Sequence, residues 1–398
     1  MNVLYLSHCV PYPPNKGEKI RAYHQLRALA EKHSLHLACF ARNEEDLKFA
    51  EQLRSYCDSV YAEPVGSLAM ASALLRFLAG SSINMALFES RSLRKYIAAL
   101  SKKMHFDVAV AYTVPVATYM PRDLPFVLDL VDVDSEKWFQ YAKMRTPGSL
   151  YRIEAERLRA MEGRYSRAAS SAILTTYNEA ALLRSFTSGR IGYVENGVNF
   201  EVFHPTAVKV PPELQGRRYL VFVGTMDYYP NIDAVLWFAK AIFPELKNRF
   251  PDVEFLIVGH RPTREVSNLA QLPGITVTGG VPDIRPYILG SRAMVAPLRI
   301  ARGIQNKVLE ALALGVRVFG SAEVCITFGE KVPADLIRCI SERDYLTNLP
   351  SALEREPARA QSVPDEIYQR FNWENNGAQF LSMVEEVAGS HRAQAVLP

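Results

Sequence analysis

Two consecutive doubly wound α/β domains are predicted by three observations. Short β-rich runs alternate with amphipathic helical patterns along the chain, the signature of parallel strands joined by crossover helices. The alternation falls into two sets, separated by a proline-rich stretch at His204-Pro205 and Val210-Pro211-Pro212. The length, 398 residues, exceeds one ordinary domain and suits two of about 150 to 200 residues. The fold class is therefore α/β, with two Rossmann-like domains and a cleft between the carboxyl ends of their sheets, where such folds take up ligands.

In chain order, Asn2–His8 reads as a strand, Lys19–His33 as an amphipathic helix with Leu26, Leu29 and Ala30 on one side, and Ser34–Phe40 as the second strand of a βαβ unit. Further strands are predicted at Val60–Ala62, Val108–Tyr112, Phe126–Val131, Ala172–Thr175 and Tyr193–Glu195. The second set places strands at Leu220–Val223, Phe255–Val258, Ile275–Thr278, Ala293–Pro297 and Arg317–Gly320. Helices are predicted between them at Asn231–Phe250, Val266–Leu272, Ile284–Ser291 and Asn306–Leu314. The expected division is an acceptor-side domain over 1–203, a donor domain over 204–370, and a segment 371–398, helical in pattern over Phe371–Val387, that crosses back to the first domain.

Composition narrows the function classes. Hydrophobic residues make up 48% and charged residues 22%, so the whole chain should fold. A net charge of +4 is too small for the length to indicate a nucleic-acid partner. Cys9, Cys39, Cys57, Cys325 and Cys339 show no metal-binding spacing and read as reduced core residues. The start lacks the basic region of a signal peptide, and the longest apolar stretch, Leu68–Gly80, is broken by Arg76 and is far short of a membrane span. A cytoplasmic protein, at most peripheral to a membrane, is expected. Leu150–Tyr165 reads as a surface helix with i,i+4 ion pairs or, alternatively, as a membrane-surface helix.

The most informative stretch is Pro297–Gly315, where a strand ends, a turn contains Gly303 and a helix begins. Such a turn aims backbone N–H groups and the positive end of a helix at an anion, and Lys307 in the first helical turn adds a formal charge. Glu310 lies about one turn beyond Lys307 on the same face. A lysine beside a carboxylate suits a nucleotide sugar, whose phosphates need cations and whose ribose hydroxyls need an acceptor. The plain alternative is a helix with an exposed Lys and Glu.

This stretch resembles the donor-site signature of the retaining glycosyltransferase family numbered four, in which a glycine turn, a lysine and an LEA(M/L)A.G.PV run recur. Here the run is Lys307, then Leu309-Glu-Ala-Leu-Ala-Leu-Gly315 and Val316-Arg-Val318. Tyr193–Phe203 around Asn196-Gly197, Phe222–Asp233, Leu256–Pro262 and Thr278–Tyr287 are similar to further motifs of that family in the same order. Lys16–Arg21, Asp129–Trp138 and Gly303–Lys307 look like its branch associated with bacterial exopolysaccharide and exosortase (PEP-CTERM) loci. The resemblance implies a GT-B architecture, a UDP- or GDP-sugar donor, no cofactor and no metal, and transfer with retention to a glycan or lipid-linked acceptor, with peripheral contact at the cytoplasmic face of the inner membrane. It assigns Lys307 and the Gly303 turn, with one nearby arginine, to the leaving diphosphate and Glu310 to the ribose. Gly224, Gly259, Arg299, Ile304, Gln305 and Asn306 complete the donor site.

Two departures from that pattern stand out. The position eight residues before Glu310, often a second glutamate, is Arg302, and the lysine-bearing segment after the first strand of the second domain reads Gly224-Thr-Met-Asp-Tyr228. Arg299 or Arg302 can supply the missing charge. In the first domain, Gly17 after Tyr12-Pro-Pro-Asn-Lys16 sits in the first βα turn with Arg21 beyond it, and both are expected at the cleft. Asp129, Asp132 and Asp134 end a strand, and metal holding, helix capping and acceptor binding all remain open for Asp132 and Asp134. His8 reads as a core histidine. The rival functions are a GT-B-type sugar-nucleotide epimerase and a catalytically weak nucleotide-sugar-binding protein.

Overall fold

The computed structural model describes residues 1–356 and 361–396. The chain forms two compact units, Met1–Glu195 with Trp373–Pro398, and Asn196–Asn372.

The first unit is built on seven parallel strands: β1 (Asn2–Ser7), β2 (Ser34–Ala41), β3 (Ser59–Pro64), β4 (Val108–Tyr112), β5 (Phe126–Val131), β6 (Ser171–Leu174) and β7 (Ile191–Tyr193). Their order is β3-β2-β1-β4-β5-β6-β7, so the winding reverses between β1 and β4. The strands are short apolar runs because both faces are covered. Val3 and Tyr5 face a core completed by Leu26 and Leu29 of the helix Gly17–Ala30 and by Phe380 and Val384 of the helix Trp373–Val396. Leu4 and Leu6, one residue out of phase, face the opposite core with Leu93, Ile97 and Leu128.

The second unit carries β8 (Tyr219–Val223), β9 (Glu254–Val258), β10 (Ile275–Gly279), β11 (Ala293–Ala296), β12 (Val318–Ser321) and β13 (Leu336–Cys339). The order β10-β9-β8-β11-β12-β13 reverses between β8 and β11. Strand β13 is absent from the sequence prediction because exposed Arg338 interrupts its apolar run at the sheet edge. The helix predicted over Asn231–Phe250 is helical from Tyr229 to Arg249 but opens into a π turn at Phe238–Ile242. Pro244 follows directly, and its ring and missing N–H forbid the regular bond to the residue four earlier.

The proline-rich connector packs on the second unit. Val198 and Leu214 lie in the second core, and Phe203, Val208 and Val210 pack against it. A parallel bridge joins Val198 to Asn372. The junctions therefore fall at Glu195/Asn196 and Asn372/Trp373, where the expected cuts were 203/204 and 370/371. The prolines lie in a strap whose Pro205 and Leu214 are buried and whose Val208 and Val210 pack on the second core. All five cysteines are buried and free, and no helix among the described residues is long and apolar enough to cross a membrane.

One expected cleft residue lies inside the first unit instead. Arg21 is 1% exposed; its Nε donates to Asp129 Oδ2 at 2.7 Å and its Nη1 to the Val194 carbonyl at 2.8 Å. Asp129, 0% exposed, also accepts from Gln25 Nε2 and from the Val131 N–H at 2.8 Å. The pair ties the first helix to the ends of β5 and β7. Removing one partner of a buried ion pair strands the other charge and typically costs about 3 to 5 kcal/mol. Arg21→Met should therefore lower the urea midpoint of the first unit by a corresponding amount, and an unchanged midpoint would show that the pair does not hold these elements together.

Candidate functional site

The reversal between β8 and β11 in the second unit is where a doubly wound sheet opens a crevice beyond its strand ends, and most of the predicted donor residues collect there. After β11 the chain runs to Gly303, whose φ of +57 is a left-handed turn that favours glycine. Gln305 braces that turn by donating from Nε2 to the Arg302 carbonyl at 2.9 Å. The helix Asn306–Ala313 follows; its Val308 and Leu309 N–H groups bond back to the Gln305 carbonyl at 2.9 and 3.2 Å, and helix geometry gives the Asn306 and Lys307 N–H groups no partner within the helix. Asn306 Oδ1 accepts from Asn196 Nδ2 at 3.1 Å.

Lys307 projects from the first turn toward the end of β8. Its Nζ donates to Asn231 Oδ1 at 2.6 Å and stands 4.3 Å from the centre of the Phe222 ring. Asn231 is itself fixed by donating to the Thr225 carbonyl at 2.9 Å. Two glycines make this approach fit. A Cβ at Gly224 would stand 2.7 Å from Asn231 Nδ2 and 2.8 Å from Lys307 Nζ, and one at Gly259, where φ is +154, would collide with the Gly224 carbonyl.

Lys307 and Glu310 are half-buried by exposed surface, yet the protein around them removes enough water to shift both. Burial pushes Lys307 down to about 7 against the attraction of Glu310, and pushes Glu310 up to about 7 against the attraction of Lys307. Mutual attraction does not offset desolvation, so the pair gains or loses protons near neutrality. An anion arriving beside Lys307 would tip the balance toward its charged form.

Other donor-site candidates fall differently. Arg299 directs Nε to Asp233 Oδ2 at 2.8 Å and Nη2 to Asp233 Oδ1, so this two-pronged face is occupied within the protein. Ile304 points into the core at 5% exposure, leaving only its backbone for a ligand. Arg302 lies half-buried in the braced turn. Asn231, Asn196 and Phe222 are the contributors that residue-by-residue reasoning missed. All three stand in quoted motif stretches, and a buried Asn at the start of a helix was the available signal.

In the first unit Gly17 is exposed at the start of its helix. Asp132 accepts from Thr175 Oγ1 at 2.7 Å; burial first, and then the Glu179 carboxylate, raise it to about 7. Asp134 pairs with Lys137. Neither caps the helix Asp134–Met144, so the capping reading is corrected. The Val133 N–H instead donates to Glu179 at 2.7 Å and the Ser135 N–H to Glu162 at 2.9 Å, both from other helices. Among the described residues no group of three His, Cys, Asp or Glu side chains is placed to hold a metal.

The β1/β4 reversal carries a cluster that the sequence reading passed over. His8 Nε2 lies 3.3 Å from Glu18 Oε2, and Arg42 reaches the same carboxylate. Burial alone would raise Glu18, but His8 and Arg42 hold it down to about 2. His8 Nδ1 and Thr113 Oγ1 are buried with no hydrogen-bond partner among the described residues. Thr113 also holds φ at +77, costly for a β-branched residue. His8 is therefore a polar strand-end residue rather than a plain core histidine.

The glycine approach gives a direct expectation. Gly224→Ala should displace Lys307 and Asn231 and remove anion binding at this site, while thermal melting shifts by only a few degrees because the clash falls on side-chain ends. Undiminished phosphate-ester affinity in the variant, measured by calorimetry, would exclude Gly224 and Lys307 from a common site.

Comparison with known proteins bears on the same region. The profile of the family described as Glycosyl transferases group 1 matches residues 217–330, which contain β8 to β12 and the Lys307 helix. No curated protein matches the chain. Among solved structures, Anabaena HepE in complex with UDP and glucose is similar over 97% of this chain and 100% of its own, at TM-score 0.66 and 13% identity. A UDP-forming trehalose-phosphate synthase from Burkholderia xenovorans is similar over 97% and 99%, at TM-score 0.61 and 13% identity. A glycosyltransferase from Rickettsia africae is similar over 97% and 98%, at TM-score 0.62 and 12% identity. Two Rossmann-like α/β units in this order are the GT-B fold, and that is the fold of this chain.

Proposed function

We propose that the protein is a glycosyltransferase that moves a sugar from a UDP- or GDP-sugar onto a glycan or lipid-linked acceptor with retention of anomeric configuration. The observation that carries this reading is the Lys307 ammonium, held by Asn231 beneath Gly224 at the β8/β11 reversal, with Glu310 one turn behind it. The Glycosyl transferases group 1 match spans the same residues, and HepE carries UDP in its solved complex.

As the bond to the anomeric carbon breaks, negative charge gathers on the departing diphosphate, so fixed positive groups there lower the barrier most. Lys307 and the Asn306 and Lys307 N–H groups at the helix start supply that charge, and Arg302 in the turn before it adds to it. Glu310 accepts from the ribose hydroxyls. The residues present provide the countercharge themselves, so the proposed reaction needs no metal or cofactor. The acceptor side is assigned to Gly17, Asp132 and Asp134, to which the strained Thr113 and His8 are added. Work in exopolysaccharide synthesis at the cytoplasmic face of the inner membrane fits the Lys16–Arg21 and Asp129–Trp138 motifs.

Incubation with UDP- and GDP-sugars and a glycan or lipid acceptor tests the class. Transfer supports the proposal; interconversion of donors would identify an epimerase instead, and binding without turnover a nucleotide-sugar-binding protein.

Lys307→Ala should weaken nucleoside-diphosphate binding by about 1.5 to 3 kcal/mol, the usual worth of a charged hydrogen bond, and nucleoside binding far less. The sign of the pH effect follows from the depressed Lys307. Below about pH 7 the lysine already carries its proton. Above that, binding must take up a proton, and diphosphate affinity should fall by up to about tenfold per pH unit. Calorimetry in buffers of different ionisation enthalpy should show that uptake, and Lys307→Ala should flatten the profile; a pH-independent affinity in the parent protein would contradict the assignment.

A further inference from the structure

In the proposed donor site Lys307 takes the diphosphate and Glu310 the ribose, and no side chain serves the nucleobase. Beside Lys307 lies a ledge made by the loops that leave β8, β9 and β10, and backbone bonds fasten those loops to one another. The Gly224 N–H donates to the Val258 carbonyl at 3.1 Å, the Gly259 N–H to the Gly279 carbonyl at 3.0 Å and the Met226 N–H to the His260 carbonyl at 2.8 Å. Gly259 also presses on Gly224, whose missing Cβ leaves room for Lys307 Nζ. The ledge therefore has its shape before a ligand arrives, which spares binding the cost of ordering it.

His260 places an exposed aromatic ring on this ledge. A Cβ at Gly280 would stand 2.2 Å from His260 Nδ1 and 2.6 Å from its Cε1, so the ring lies across the third loop in space that only a glycine leaves. The next residue, Arg261, holds φ at +56, one of three non-glycine residues with positive φ among the described residues. Strain of this kind persists only where the surroundings fix it, and it gathers at ligand sites. Adjacent strands lie about 4.8 Å apart. The ring after β9 is therefore one strand farther along the sheet than the ammonium over the end of β8, the kind of step that a ribose makes between a diphosphate and its base.

We propose that the His260 ring, seated on Gly280, is the platform on which the nucleobase of the donor stacks. The imidazole is planar and aromatic, and every nucleobase has a π face, so stacking of this kind serves a uridine and a guanosine donor alike. Gly280 sets where the platform lies, because any side chain there drives the ring away. This role rests on the donor-site reading and adds to it the residue that holds the base.

The test is calorimetry on the full chain with UDP, GDP and inorganic pyrophosphate, which keeps the charge and lacks the base. His260→Ala should weaken UDP and GDP binding at least about fivefold, the low end of what a base loses with its aromatic platform, and pyrophosphate binding by less than about twofold. Gly280→Ala should do the same by displacing the ring. His260→Phe, which keeps a flat ring and removes its hydrogen bonds, should recover most of the affinity. All three variants should melt like the parent, since His260 is exposed and Gly280 does not hold a left-handed φ. Unchanged UDP and GDP affinity in His260→Ala, an equal loss for pyrophosphate, or no recovery with phenylalanine would overturn the platform while leaving the donor site in place. Failure of the parent protein to bind either nucleotide would overturn the donor site itself, and the platform with it.

Discussion

The second unit is organised around an ammonium group kept where water is scarce. Lys307 can reach the end of β8 only because Gly224 and Gly259 carry no side chains there, and only because Asn231 offers an acceptor at 2.6 Å. Each of these residues sits at the carboxyl end of a strand or the first turn of a helix, the positions that a doubly wound sheet brings together where its winding reverses. Desolvation makes the arrangement unfavourable for an isolated charge, which is why Lys307 and Glu310 both shift toward neutrality. A site that is uncomfortable when empty is one that gains when an anion arrives.

The first unit solves a related problem in the opposite way. Its buried charge, Asp129, is fully matched by Arg21, Gln25 and a backbone N–H, and so serves to lock a helix to the strand ends. At the β1/β4 reversal, by contrast, His8 Nδ1 and Thr113 Oγ1 are among the buried polar atoms with no hydrogen-bond partner among the described residues. Each unit has strained or desolvated polar groups at the point where its sheet reverses.

Much of this was legible in the sequence, for physical reasons. The strands were readable because a sheet covered on both faces demands short apolar runs, and the Val108–Tyr112 and Phe126–Val131 expectations match the structure residue for residue. The glycine turn and Lys307 were readable because a strand, a φ-positive residue and a helix start follow one another within a few residues. Arg21 was misplaced because its partner Asp129 is 108 residues away, and an arginine in a first βα turn looks the same whether it faces ligand or core. The unit boundary was misplaced because prolines signal a stiff segment without saying whether it is packed. Capping was one of three readings of Asp132 and Asp134, but the N–H groups at that helix start are served by Glu179 and Glu162 from distant helices, which no local pattern reveals.

Where a nucleoside diphosphate binds tests the β8/β11 reversal most directly as the donor site. Hydrogen–deuterium exchange with saturating UDP or GDP should slow exchange in peptides covering Gly224–Asn231 and Gly303–Glu310, with little change in the interior strands of either sheet. Protection confined to the first unit, or no protection at a concentration that saturates binding, would contradict the assignment of the β8/β11 reversal as the donor site.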